Sequence, residues 1–124
     1  MRIADYPEKR DSIPEKNRIG EFTMFTTKEA YRVYLGLNDR ETGKQEITTK
    51  NAIDLVKEIA TEYFDGATIS TAIGLFNGKP EKTIVVYLTD TVDDNVKWFA
   101  EDLRDVFNQE CVMVEKSVQN VAFI

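Results

Sequence analysis

The feature that most constrains this chain is the order in which its hydrophobic period changes. "YRVYLGL" is rich in β-branched and aromatic residues, and its side chains alternate with period two. Residues 49–64, "TKNAIDLVKEIATEYF", switch to helical spacing, with Ala52, Leu55, Val56, Ile59, Ala60 and Tyr63 on one face. Thr49 is the expected N-cap, and Gly66 is expected to stop the helix in a left-handed C′ conformation. Residues 67–76 and 82–88 return to strand patterning, joined by a loop of about five residues that contains Asn77, Gly78 and Pro80. Residues 91–110 are helical again, with Val92, Val96, Phe99, Leu103, Val106 and Phe107 as the apolar stripe. Thr91 and Asp94 read as a capping box. "CVMVEKSVQNVAFI" closes the chain as one or two strands.

Strand, helix, strand, strand, helix, strand is the split βαβ, or ferredoxin-like, α+β pattern: an antiparallel sheet with both helices on one face. The expected organisation is an irregular N-terminal arm over residues 1–20, carrying Pro7 and Pro14, followed by one domain over residues 21–124. The arm is expected either to fray or to pack on a neighbouring subunit. "EFTMFT" within residues 21–26 reads as a short edge strand or an anchor for that arm.

Composition narrows the chemistry. The 124 residues contain no histidine and one cysteine, Cys111. The commonest general base is therefore missing, as are zinc sites of the usual Cys/His type and any intrachain disulfide. Cys111 is expected to act as a small buried hydrophobe at a strand start. Sixteen basic residues against 22 acidic ones give a net charge of -6, which disfavours a broad nucleic-acid surface. No apolar run is long enough to span a membrane, and the charged N-terminus does not read as a secretory signal. A cytoplasmic location follows as the expectation, the host's cytoplasm if the chain is viral.

The three glycines of "GATISTAIGLFNG" do not form a phosphate-cradling loop. Such a loop follows a strand and opens a helix, whereas here Gly66 follows a helix and Gly74 and Gly78 lie within a hairpin. Gly74 is expected to mark a bulge or a close backbone approach.

"YRVYLGL", "YFDGATI", "FNQECVMV" and the final "VAF" resemble, in that order, a small bacterial ferredoxin-like domain family of unknown function, often found behind a lipoprotein signal. The resemblance covers residues 30–124. This chain departs from it at Tyr63 and Val106, where the family favours Arg, and at Cys111, where it favours Ser. The resemblance implies the fold and a tendency to associate, and it implies no chemistry.

Alternation assigns the sheet faces. Val33, Leu35, Leu37, Ile69, Ile73, Ile84, Val86 and Leu88 are expected to face the helices. The open face then receives Arg32, Tyr34, Thr68, Ser70, Ala72, Phe76, Val85, Tyr87 and Met113. Of these, Arg32, Tyr34, Thr68, Ser70, Phe76 and Tyr87 are the candidate ligand-binding residues. The tyrosines offer stacking surfaces, Arg32 a forked anion donor, and Thr68 and Ser70 hydroxyls for a sugar or phosphate. Val85, Met113 and a half-exposed Trp98 are the candidate interface residues of a homo-oligomer. The acidic row Asp54, Glu58 and Glu62 and the loop Asp39–Arg40–Glu41 with Lys44 read as solvated surface.

The first functional expectation is a non-enzymatic protein holding a nucleotide-like anion. Its analogy is with the proteins by which bacterial viruses sequester host immune signals. Alternatives are a protein inhibitor or adaptor working through acidic surfaces, and a dimeric ferredoxin-like enzyme. No cofactor, metal, membrane or nucleic-acid polymer is expected as a partner.

Overall fold

The computed structural model describes residues 24–124, so the expectations for residues 1–23, the N-terminal arm included, lie outside the described residues. The elements run β1 (Thr26–Gly36), α1 (Thr49–Thr61), β2 (Thr68–Phe76), β3 (Lys79–Thr89), α2 (Asp93–Val106) and β4 (Met113–Val121). The sheet order is β2-β3-β1-β4, and β3 pairs antiparallel with both β1 and β2. This is the ferredoxin-like α+β layout that the alternating periods predict. Two compact units are distinguished: Glu29–Val118, and residues 24–28 taken with Gln119–Ile124. In the second of these, Thr27 Oγ1 donates to Asn120 Oδ1 at 3.2 Å.

The core belongs to the first unit. Val33, Leu35, Ile84, Val86 and Leu88 supply its sheet side, and Val56, Val96, Phe99 and Leu103 its helix side. Phe99 is fully buried, and Phe64 and Tyr63 meet its ring edge-to-face at 5.1 and 6.2 Å. Edge-to-face contacts of this kind add to area burial because the positive ring edge meets the negative face.

Several local expectations are corrected. The N-cap of α1 is Thr48 rather than Thr49, and its Oγ1 accepts the Asn51 N–H at 3.2 Å. α1 ends at Thr61, and Gly66 is not in the left-handed region. The chain turns earlier, where the Tyr63 and Phe64 N–H groups both donate to the Ala60 carbonyl. That turn directs both rings toward Phe99. α2 begins at Asp93 behind Val92, which makes no side-chain cap, so the Thr91 capping box does not form. Val92 and Val106 are exposed at the helix ends rather than part of the buried stripe.

β2 and β3 are joined by a two-residue turn, not a five-residue loop. Asn77 and Gly78 both have positive φ, 52° and 78°, the requirement of a turn whose twist matches the strands. Pro80 lies inside β3 opposite Leu75. No bulge occurs at Gly74, since the register is continuous from Thr68↔Tyr87 to Phe76↔Lys79. Gly74 instead marks a close approach, as a Cβ there would lie 2.9 Å from Thr83 Oγ1. Ile73 has the predicted parity but is 69% exposed. The β1–β3 register ends at Gly36↔Thr83, so the hairpin tip runs on past β1.

Replacing Thr48 with Ala is expected to lower unfolding stability by about 1 kcal/mol through loss of the cap, and Phe99→Ala by about 3–5 kcal/mol through the cavity it leaves. Urea denaturation of the two variants checks both values.

Candidate functional site

The helices cover one side of the sheet, and strand alternation sends the other set of side chains to the open face. Three strands contribute a continuous row in which Thr68 stands opposite Tyr87 and Tyr87 opposite Arg32. The next row is Ser70, Val85 and Tyr34. The Arg32 guanidinium sits 5.1 Å from the centre of the Tyr87 ring, within the range at which a cation is attracted to a ring face. Glu115 of β4 completes the cluster. It accepts the Tyr34 hydroxyl at 2.9 Å, and Arg32 Nη1 lies 3.7 Å from the same carboxylate oxygen. The Arg32 and Glu115 side chains remain 42% and 50% exposed, so both heads are reachable from solvent.

Five of the six predicted ligand residues are thereby brought onto adjoining rows. Phe76 is the exception. It pairs with Lys79 at the far end of the hairpin, eight residues beyond Thr68, or about 26 Å at the usual strand rise. The expected interface set also separates. Val85 is half-buried on the open face, and Met113 shares the parity of Glu115 on β4, but Trp98 lies on α2 and is 47% exposed there. Glu115 is the member of this candidate site that the sequence reading missed. Its signal was present, because the alternation that places Met113 on the open face places Glu115 there two residues later.

The electrostatics keep Tyr34 a neutral donor. Its hydrogen bond to Glu115, aided by partial desolvation and the adjacent negative charge, pushes the phenol above its ordinary value. On the helix side of the sheet, Tyr31 is buried and donates to Asp93 at 2.5 Å. Burial, then that hydrogen bond, raises its pKa to about 12. Lys116 bridges Asp93 and Glu29 at 3.0 and 3.2 Å. The Tyr63 hydroxyl donates to Asp102, a contact that raises Tyr63 to about 12.

The loop of Asp39, Arg40 and Glu41 is held by its own turn and by Asn108 just beyond α2. Asp39 accepts N–H groups from Glu41 and Thr42 at 2.9 and 3.1 Å and the Asn108 side-chain amide at 2.9 Å. Gln109, buried, donates to the Asn38 carbonyl at 2.7 Å. These bonds fasten the loop to the end of α2. Cys111 is exposed rather than buried, because β4 begins two residues later at Met113. Asp54 of the acidic row pairs with Lys50 at 3.3 Å. Among the described residues, no group of three His, Cys, Asp or Glu side chains is placed to hold a metal ion, and no helix is long and apolar enough to cross a membrane.

No family model matches the chain, and no curated protein does. The resemblance to the bacterial family of unknown function therefore rests on its short segments alone. Solved structures do match. A phage SAM lyase in complex with S-methyl-5'-thioadenosine superposes with a TM-score of 0.57 at 18% identity, covering 77% of this chain and 90% of that one. A phage SAM lyase in the apo state gives 0.56 at 18% identity, covering 83% and 94%. The likeness is one of fold. Both neighbours are phage proteins by description, and at 18% identity the likeness carries no role over to this chain. Both are also enzymes, so they lend no support to the expectation of a protein without catalytic activity.

Tyr31, Tyr34 and Tyr63 are expected to ionise above the ordinary phenol value of about 10. Their folded pKa values are raised, so the stability they add is full below that value and lost as pH rises through about 12 for Tyr31 and Tyr63. A phenolate absorbance titration of the native protein should show late phenols, one fewer in each of Tyr31→Phe and Tyr63→Phe. Asp93→Asn should move one of them downward.

Proposed function

We propose that the open sheet face is a binding site for a nucleoside-type small molecule, and that the chain is a phage-type anti-defence protein that withholds such a ligand from its host. The observation that carries this reading is the cluster of Tyr87, Arg32, Tyr34 and Glu115, which puts aromatic surface, a guanidinium and a carboxylate side by side within reach of solvent. A purine would lie against the tyrosines, and Arg32 would meet a carboxylate or phosphate with its forked donors. Glu115 suits a cationic centre such as an ammonium or sulfonium. Thr68 and Ser70, exposed on the neighbouring rows, would bond ribose hydroxyls. The fold shared with a lyase that binds S-methyl-5'-thioadenosine makes S-adenosyl compounds the first ligands to test.

The same likeness supports a second reading, in which the bound sulfonium compound is cleaved rather than merely held. A sulfonium carbon–sulfur bond breaks when the ligand's own carboxylate oxygen attacks the carbon that bears sulfur: the carbon–oxygen bond forms, and the neutral thioether leaves with the electron pair of the broken bond. A site that orients the ligand's chain for that attack would favour the step.

Calorimetric titration with SAM, S-methyl-5'-thioadenosine and ATP, with chromatography of the SAM mixture, tests both readings. Retention in fixed ratio without product supports sequestration, and appearance of S-methyl-5'-thioadenosine supports cleavage. Arg32→Ala and Tyr87→Ala are each expected to weaken binding at least about tenfold, the equivalent of about 1.4 kcal/mol. Binding of none of the three, or binding indifferent to both substitutions, overturns the proposal.

A further inference from the structure

Two of the apolar surfaces left outside the core and the open face lie at opposite edges of the sheet, both within the unit Glu29–Val118. The first is the β2–β3 tip. Ile73 and Leu75 are 69% and 76% exposed, and they stand opposite Lys82 and Pro80 respectively. Directly opposed residues share a sheet face, so Ile73, Leu75, Pro80 and the Lys82 stem form one apolar strip on a ribbon that runs past β1. A contiguous exposed apolar strip, unlike apolar side chains scattered singly, marks an interaction surface.

The second surface is a groove of about 420 Å³ between α2 and β4. Its walls are Val96 and Ala100 of α2 facing Val112 and Val114 near β4. β4 is the outermost strand, and the two helices leave the helix-side face of its Val114 41% exposed. The polar groups at one end are already satisfied, since Asp93 holds both Tyr31 and Lys116. Arg104 is likewise bridged to Asp105. A groove with an apolar interior and few uncommitted polar groups suits aliphatic side chains better than a small polar ligand.

We infer that the β2–β3 tip of one copy seats in the α2–β4 groove of the next, giving a head-to-tail assembly of this chain. The two surfaces sit at opposite edges of the sheet, on β2–β3 and on β4. A contact between them is therefore heterologous, and repetition closes a ring when the rotation permits. Charge agrees. The tip carries Lys79 and Lys82 against Glu81, and Glu81 already accepts the Asn38 N–H at 2.9 Å. Of the charged residues that line the groove, Arg104 is bridged to Asp105 and Lys116 to Asp93 and Glu29, which leaves Glu101 and Glu110 against Lys97 at its rim. A single tip falls short of the roughly 800 Å² per partner of a standard interface. In a ring each copy contributes both its tip and its groove, which doubles the area buried per chain. The open face, on the other side of the sheet from the groove, stays free for a ligand.

Cys111 lines the groove, is exposed, and is the chain's only cysteine. It supplies the test. Sedimentation equilibrium of the full chain is expected to give a multiple of 14.2 kDa, and Leu75→Asp or Ile73→Asp a single-chain mass with an unchanged circular dichroism spectrum. Under mild oxidation, Leu75→Cys should form a disulfide between copies with Cys111, lost on adding Cys111→Ser, because bridging needs Cα atoms within about 7 Å. A single-chain mass for the unaltered protein overturns the inference, as does an assembly indifferent to the tip substitutions. So does a cross-link that survives Cys111→Ser, or one that closes within a single chain.

Discussion

Everything in this molecule depends on one act of burial: the inner rows of β1 and β3 against the stripe of α1 and α2. Val33, Leu35, Ile84, Val86 and Leu88 are essentially inaccessible, and so are Val56, Phe99 and Leu103. Because side chains alternate along a strand, committing one parity to that core commits the other to the opposite face. The two adjoining rows that hold Arg32, Tyr34, Thr68, Ser70 and Tyr87 are thus a direct consequence of the core. A slip of one residue would bury the guanidinium and expose the valines, at a cost no marginally stable domain could meet.

The same layering explains why polar chemistry gathers in two places. On the open face, Glu115 joins the β1 and β3 side chains because β4 lies at the edge of the sheet next to β1. Its carboxylate ties Tyr34 and leans on Arg32 without burial. On the helix side, Tyr31 turns into the core while its hydroxyl reaches Asp93 at the start of α2, and Lys116 neutralises the pair with Glu29. This second network explains a departure from simple capping logic. Asp93 interacts with the sheet, and the start of α2 forms behind Val92 with no side-chain cap.

Edges account for the rest. The two helices leave parts of the four strands uncovered, and the hairpin is offset so that its tip extends beyond the end of β1 at Gly36↔Thr83. Leu75 and Ile73 at one end, and the α2–β4 groove at the other, are what the layering leaves uncovered. Their exposure follows from length and register rather than from composition, since Ile73 has the same parity as the packed Ile69.

By itself the sequence determined the element order, the fold class and the side of the sheet on which each strand residue stands, because periods of two and 3.6 are written residue by residue in "YRVYLGL" and "AIDLVKEIA". Local turn chemistry was only partly legible. Asn77-Gly78 announced a hairpin, but Pro80 looked like loop because nothing in the chain told that its ring sits opposite Leu75 at a sheet edge. Tertiary structure alone decided how far the helices reach along the sheet, and so that Ile73, Val92, Val106 and Cys111 are exposed. It also decided which distant residues meet: Tyr34 with Glu115, Tyr31 with Asp93, Asn108 with Asp39. Those contacts depend on strand order and crossover, which are properties of packing and not of any local stretch of chain.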